Sequence, residues 1–355
     1  MAPAEARGSR LSARGFGCFA VAFVLVPFLG VSYQAARTHG ASMLFYLLAP
    51  EWLGDVLGPA PRIFDAVGVD SVDSGGFQVS RISRAPNVTL IHNFISPETA
   101  RALLGTDVAR SLHSAAETSP PPRLEGRADF QNALMSWVYS FVRTSKGGWC
   151  TGADVAPIIA RLALRTEALT GLSVRSAERP FLSRYDAGDR FRAHYDLFNV
   201  DSSRPFPTGL NARRATLLVY LSDVPDGGET EFMLADGGPL RVRARAGSAI
   251  IWENCVVADE RCVARDWRSL HQGRSPQGGR SKYILTFWLR QWPFQPGLAA
   301  DSLGSMCERF HECARADQAC RDVATKLCQG PRPSRAASGV SFASLAPPAR
   351  GPGPH

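Results

Sequence analysis

Histidine is scarce in this chain, with seven copies among 355 residues, so a site built on imidazoles has few places to lie. The eight cysteines include no close CxxC-type pair, which argues against a structural zinc site. There is no internal repeat, which sets solenoids and propellers aside. No stretch interleaves basic and aromatic residues in the manner of a nucleic-acid-binding module. The net charge of +8 comes largely from arginine spread along the chain, so no nucleic-acid partner is expected, and the charge serves solubility or attraction to acidic surfaces. What is present is ordinary globular composition, 45% hydrophobic and 20% charged, enough for one large domain or two smaller ones.

Charge is also missing from Gly15 to Ala36, GFGCFAVAFVLVPFLGVSYQAA, while Arg7, Arg10 and Arg14 precede that run. An uncharged run of this length approaches the ~20 residues needed to cross a bilayer. Basic residues ahead of it favour a cytoplasmic N-terminus and a lumenal remainder. A signal anchor is expected in preference to a cleaved signal peptide, because the run is long for a signal peptide and no clean small-x-small site follows it closely. The stretch Ser42 to Leu53 is apolar but broken by Pro50 and Glu51, and reads as a membrane-proximal or core helix.

Cysteine usage agrees with the secretory route. Cys307, Cys313, Cys320 and Cys328 cluster at spacings of six, seven and eight, and Cys255 and Cys262 bracket a short loop. Such clusters read as disulfides in an oxidising compartment. Cys18 lies in the anchor, and Cys150 has no evident partner. The sequon Asn87-Val88-Thr89 fits a lumenal glycoprotein.

Composition shifts divide the chain into a basic tail (1–14), an anchor (15–36), a stem (37–84), a folded domain (85–292), a Cys-rich segment (293–330) and a Pro/Ser/Ala/Gly-rich tail (331–355) expected to be disordered. Within the domain, a β-prone run from Val88 to Phe94 meets a helix start, with Ser96 as N-cap and Pro97 at the first helical position. Residues 106–128 read as a loop insertion. A second helix is expected from about Val155 to Leu169, with Asp154 as N-cap and Gly171 as its stop. Short runs rich in β-branched and aromatic residues follow: ERPFLSRYDAG, RATLLVYLSDV, GPLRVRARAG, SAIIWEN and SKYILTFWLR. Helices followed by many short strands predict an α+β domain built on a jelly-roll, double-stranded β-helix core with flanking helices.

The stretch FRAHYDLF (191–198) carries the first chemical signal. Residues i and i+2 of a strand share a face, so His194 and Asp196 can offer a nitrogen and a carboxylate oxygen to one point. That is two thirds of the 2-His-1-carboxylate triad that holds non-heme Fe(II). Among the remaining histidines, His271 alone lies in the strand-rich region, ahead of the strand that opens at Lys282. His194, Asp196 and His271 are therefore the expected metal ligands. An open Fe(II) needs an electron source, which a chelating 2-oxo acid supplies, and the far carboxylate of that acid needs a cation. Lys282 shares a strand face with Ile284, Thr286 and Trp288, and an inward lysine makes sense where it meets an anion. Thr286 is counted with it as a cosubstrate-side residue. The bland alternative is a lysine snorkelling to water at the strand mouth.

At this point the chain resembles the 2-oxoglutarate and Fe(II)-dependent prolyl 4-hydroxylases of the membrane-anchored plant, algal and protist type. VTLIHNFISPETARALL, SFVRTSKGGWC, SRYDAGDRFRAHYDLF, LLVYLSDVPDGGETEF, ARAGSAIIW and SLHQGRSPQGGRSKYILTFW resemble the family's motifs in order through most of residues 87–290. The resemblance implies iron ligation by His194, Asp196 and His271, and Lys282 on the far carboxylate of 2-oxoglutarate. It implies a hydrogen bond from Tyr185 to the same cosubstrate, Trp288 lining the site, and Gly227 and Gly228 in a tight loop. It further implies Fe(II), 2-oxoglutarate, O2 and L-ascorbate as cofactors and cosubstrates, and proline in an extended, proline-rich peptide as substrate, in the endoplasmic reticulum or Golgi membrane as a single-pass protein with a lumenal domain. Tyr195, Phe198 and Trp252 are candidates to stack on proline rings or to pack in the core. Two departures stand out: Asp189 and Phe191 replace the usual Gln and Tyr, and the interval from His271 to Lys282 is one residue longer than usual. If that residue flips the strand, Arg280 is the backup cation. The alternatives are a 2-oxoglutarate oxygenase with another substrate, or a non-catalytic tethered binding protein on the same fold.

Overall fold

The computed structural model describes residues 60–65, 71–72, 77–115, 140, 142–197, 210–294 and 302–328. The anchor at 15–36, the stretch Ser42 to Leu53, most of the 106–128 insertion and the tail at 331–355 lie outside the described residues. Among the described residues no helix is long and apolar enough to cross a membrane.

In chain order the first strands are β1 (Arg62–Phe64), β2 (Ser71–Val72), β3 (Gln78–Ser83) and β4 (Val88–His92). Helices α1 (Pro97–Leu104) and α2 (Asp107–Arg110) follow, then β5 (His113–Ser114), β6 (Lys146–Trp149) and helix α3 (Ala156–Thr170). Next come β7 (Phe181–Tyr185), β8 (Phe191–His194), β9 (Arg213–Tyr220), β10 (Thr230–Phe232), β11 (Leu240–Val242) and β12 (Ala249–Glu253). The hairpin β13 (Cys255–Ala258) and β14 (Arg261–Arg265) leads to β15 (His271–Gly273) and β16 (Lys282–Arg290), and the chain closes with α4 (Cys307–Cys313) and α5 (Gln318–Cys328).

The strands form a five-stranded sheet in the order β1-β11-β10-β15-β8 and a nine-stranded sheet in the order β2-β3-β4-β12-β9-β16-β7-β6-β5. From β7 onward, leaving the hairpin aside, the chain alternates between the two except that β10 and β11 follow one another in the small sheet: β7, β9, β12 and β16 enter the large sheet, and β8, β10, β11 and β15 the small one. That alternation is the winding of a double-stranded β-helix, as the order of short strands predicts.

Strand β16 shows why its residues form this structure. Its sequence KYILTFWLR is almost continuously buried, as a central strand covered on both faces must be. Leu285, Phe287 and Leu289 pack into one cluster with Ile159 and Leu162 of α3. Ile284, on the other face, joins Tyr185, Phe191, Phe232 and Trp252 between the two sheets. Helix α3 is thereby held on the outer face of the large sheet, and Gly171 ends it in the left-handed conformation at φ 67°. Ser96 caps α1 by accepting from the Thr99 amide at 3.2 Å, with Pro97 in the first turn.

Three features differ from the sequence reading. Asp154 is not the N-cap of α3. Val155 holds that place, and the Asp154 carboxylate accepts instead from the amide of Asp107 at 2.7 Å, tying α2 to the start of α3. The stretch expected as a stem supplies strands to both sheets: β1 pairs parallel with β11 and β3 antiparallel with β4. The expected insertion at 106–128 is not all loop, because α2 and β5 fall at its start. The Cys-rich segment, as the helical spacing of its cysteines suggests, forms two helices stapled by Cys307–Cys328 and Cys313–Cys320, and its Phe310 and Val323 lie in the same core as α3.

Candidate active site

Strands β8 and β15 are antiparallel neighbours, and their register sets His271 opposite His194. The two imidazole centroids are 4.2 Å apart. Asp196 completes the group, its Oδ1 3.6 Å from His194 Nε2 and its Oδ2 3.8 Å from His271 Nε2. One candidate ligand atom from each residue lies within 4.8 Å of the others. The strand-face argument reached these three residues by an incomplete route: β8 ends at His194, and Asp196 sits in the bend beyond it. The bend turns the carboxylate back towards the two rings.

Both histidines are prepared in the same way. His194 Nδ1 lies 2.8 Å from the Arg192 carbonyl and His271 Nδ1 lies 2.9 Å from the Ser269 carbonyl. A carbonyl only accepts, so each Nδ1 carries the proton and each Nε2 keeps its lone pair towards Asp196. Burial pushes the His271 imidazole down to about 4, with His194 adding to the effect and Asp196 opposing it. His271 is therefore neutral and able to ligate at neutral pH. Burial alone raises the Asp196 carboxyl, but His271 first, then His194 and Arg213, outweigh burial and hold it well below the usual carboxylate range. Two imidazoles presenting Nε2 and one buried carboxylate are the donor set of a facial 2-His-1-carboxylate centre. The residues fit Fe(II).

The carboxylate is itself held. Thr216 Oγ1 of β9 donates to Asp196 Oδ2 at 2.7 Å, and Asn254 Nδ2, just past β12, donates to Thr216 Oγ1 at 2.9 Å. All three side chains are buried. Phe191 stacks on His194 with centroids 3.5 Å apart, and Trp252 meets His271 edge-on at 4.7 Å.

Lys282 opens β16 opposite Tyr185 of β7. It is 1% exposed, so the snorkelling alternative fails. Its ammonium stands 5.3 Å from the Tyr185 ring centroid and 5.8 Å from that of Tyr220, and its charge acts on His271. A Cβ placed on Gly273 would sit 3.5 Å from the Tyr185 ring, which puts that ring against the strand carrying His271. The long interval between His271 and Lys282 is absorbed in the loop after β15. Gly228 N donates to the Ser275 carbonyl at 3.0 Å and Gln277 N to the Asp226 carbonyl at 2.9 Å. Gly227 and Gly228 both adopt φ 69°, and a Cβ on Gly227 would meet the Ser275 oxygen at 2.4 Å, so the pair has to be glycine. Arg280 is exposed and is not the backup cation.

Thr286 is buried between Ile284 and Trp288 on the inward side of β16. Trp288 stands with Trp149 and Phe181 at centroid distances of 6.1 and 6.3 Å, under the Arg213 guanidinium at 4.0 Å, and its indole N–H has no partner among the described residues. Trp252 is 1% exposed and belongs to the core, which removes it as a platform for substrate. Tyr195 packs with Ala193, Met233 and Leu270, on the side of the strand away from the ligands, and its hydroxyl donates to the Trp267 carbonyl at 3.1 Å. Phe198 lies outside the described residues. Among the buried polar residues given no role from sequence are Thr216, Asn254 and Arg143. Arg143 lies in SFVRTSKGGWC, stacks between Phe181 and Phe191 at 4.9 and 4.6 Å, and donates to Ser183 and Ser145. The motif drew attention to Arg143. No spacing links Thr216 or Asn254 to Asp196.

Residues 180–290 match the model of the 2OG-Fe(II) oxygenase superfamily. The chain is 31% identical over 172 residues to human prolyl 4-hydroxylase subunit alpha-1, across 48% of this chain and 30% of that protein. It is 28% identical over 228 residues to Arabidopsis thaliana prolyl 4-hydroxylase 1, across 61% of this chain and 73% of that protein. The chain thus spans under a third of the length of the human relative. A viral collagen prolyl hydroxylase from Paramecium Bursaria Chlorella virus-1, solved with 2OG, aligns at 21% identity with a TM-score of 0.40, over 57% of this chain and 95% of that one.

Proposed function

We propose that this chain, which belongs to the 2OG-Fe(II) oxygenases of the prolyl 4-hydroxylase group, hydroxylates proline in extended, proline-rich peptides. The observation that carries the reading is the meeting of His194, Asp196 and His271 beside the buried ammonium of Lys282. His194 Nε2, His271 Nε2 and a carboxylate oxygen of Asp196 would hold Fe(II). With 2-oxoglutarate and O2, such a centre supplies the oxidant for carbon hydroxylation, and L-ascorbate is the reductant the family resemblance implies. The chain's own part is binding, orientation and exclusion of water. Lys282 pairs with the far carboxylate of 2-oxoglutarate, and Tyr185, opposite it in the register, donates to the same group. Thr286 and Trp288 line the inward face beyond them. The exposed peptide of a polyproline-II segment suits a groove in which hydrogen bonds and aromatic walls both contribute.

The N-terminal run at 15–36 is proposed to anchor the protein in the endoplasmic reticulum or Golgi membrane with the oxygenase domain in the lumen. What supports this is the uncharged length of the run, the arginines before it and the three disulfides of the folded part.

The test is 2-oxoglutarate decarboxylation with Fe(II), with and without proline-rich peptides. Turnover stimulated by peptide and matched by 4-hydroxyproline is expected. Decarboxylation that no proline peptide stimulates would favour another substrate, and absence of both turnover and Fe(II) binding would leave a tethered binding protein.

A further inference from the structure

We propose that Thr216 and Asn254 are positioning residues that fix the metal-facing orientation of the Asp196 carboxylate. The proposal rests on the reading of His194, Asp196 and His271 as a metal site. Thr216 lies on β9 and Asn254 just beyond β12, and these strands are antiparallel neighbours in which Trp252 is opposite Thr216. Leu218, Tyr220, Ile250 and Trp252 point into the space between the sheets. Thr216 and Asn254 extend those two inward rows by two residues each, towards the end where Asp196 lies.

Proton counting sets the direction of the chain of hydrogen bonds. An ionised carboxylate only accepts, so the single Thr216 hydroxyl proton goes to Asp196 Oδ2 at 2.7 Å. The hydroxyl oxygen is then free to accept, and the Asn254 amide nitrogen fills that role at 2.9 Å. Asn254 is anchored at both backbone ends. Its N–H donates to the Arg214 carbonyl at 2.8 Å, and its carbonyl accepts from the Asp266 amide at 3.2 Å. Its side-chain Oδ1 is buried without a partner among the described residues, a cost that an apolar residue of similar size would avoid. The retention of an amide here is explained if its N–H is needed.

The position of Asp196 makes such a tie necessary. It lies in a bend beyond the end of β8 and lacks the strand pairing that orients the two histidines. The hydrogen bond from Thr216 to Oδ2 is the contact that distinguishes the two carboxylate oxygens and so sets their rotation between the two histidines. Outer-shell partners of this kind set ligand orientation, and their loss typically weakens metal binding 10–100-fold.

The experiment uses the full chain and Co(II) as an optical probe, titrated by its visible absorption, alongside the melting temperature of the metal-free protein. Thr216→Val keeps the shape and removes the hydroxyl. It is expected to weaken Co(II) binding at least tenfold while leaving the metal-free melting temperature close to that of the wild type. Thr216→Ser, which restores the donor, should bind within about threefold of the wild type. Asn254→Ala should add little when combined with Thr216→Val, because both act on one carboxylate. Thr216→Val carries the test if Asn254→Ala fails to fold. Wild-type-like Co(II) affinity in Thr216→Val would overturn the positioning role alone. Failure of the wild type to bind Co(II) or Fe(II) would remove the metal site itself, and the positioning role with it.

Discussion

In the proposed function, Lys282 is the single side chain on which most depends. An ammonium 1% exposed has lost most of its hydration, and its environment of Tyr185 and Tyr220 rings suits an anion arriving from solution. Lys282→Ala is expected to raise the KM for 2-oxoglutarate at least tenfold, the order seen when one partner of a buried charge pair is truncated, with Fe(II) or Co(II) affinity nearly unchanged. An unchanged KM in steady-state assays would refute the assignment. Cys150 is the opposite kind of residue. Burial pushes its thiol up to about 12, and the thiolate is the reactive form. It should stay unlabelled by a thiol reagent in the native protein and label fully in denaturant, as read by peptide mass mapping. The chain holds Lys146, Lys282 and Lys326 as its only lysines, so a lysine in an apolar strand stood out in sequence. The Thr216 and Asn254 contacts did not, because hydroxyls and amides are common in strands and their partners are distant along the chain.

Among the elements, the stapled pair of α4 and α5 can be probed without touching the site. Cys307–Cys328 encloses 21 residues of sequence separation, for which loop-closure entropy amounts to about 3 kcal/mol of stability. Replacing both cysteines by serine should lower the melting temperature by several degrees while leaving metal affinity intact. A site-wide loss of metal binding in that variant would show that the helices brace the centre through α3. Helix starts and strand runs were readable because each depends on local chemistry, as with Ser96, Pro97 and Gly171. The misplaced cap at Asp154 shows the limit of such reading. Its carboxylate prefers the free amide of Asp107, contributed by another helix, and no window of sequence contains both.

For the whole molecule, the membrane reading makes its own claim. The full chain is expected to stay with the membrane fraction through alkaline carbonate extraction, and a chain beginning at residue 37 to be released. Release of both would exclude an anchor. The domain itself extends further back than composition suggests, because β1 and β3 of the expected stem complete hydrogen bonding along β11 and β4. Of the two, β1 is an edge strand of three residues, and a strand so short leaves little pattern for composition to mark.

By itself the sequence determined the donor types, the inward face of β16, the winding order of the strands and the cysteines available for pairing, because each follows from residue chemistry or a period of two along the backbone. The tertiary structure alone decided that His271 comes opposite His194, that a bend delivers Asp196, that the loop after β15 absorbs its extra residue, and that Thr216 and Asn254 reach the carboxylate. Those are relations between strands, and strand register is set by packing between the sheets, which no local stretch of residues contains.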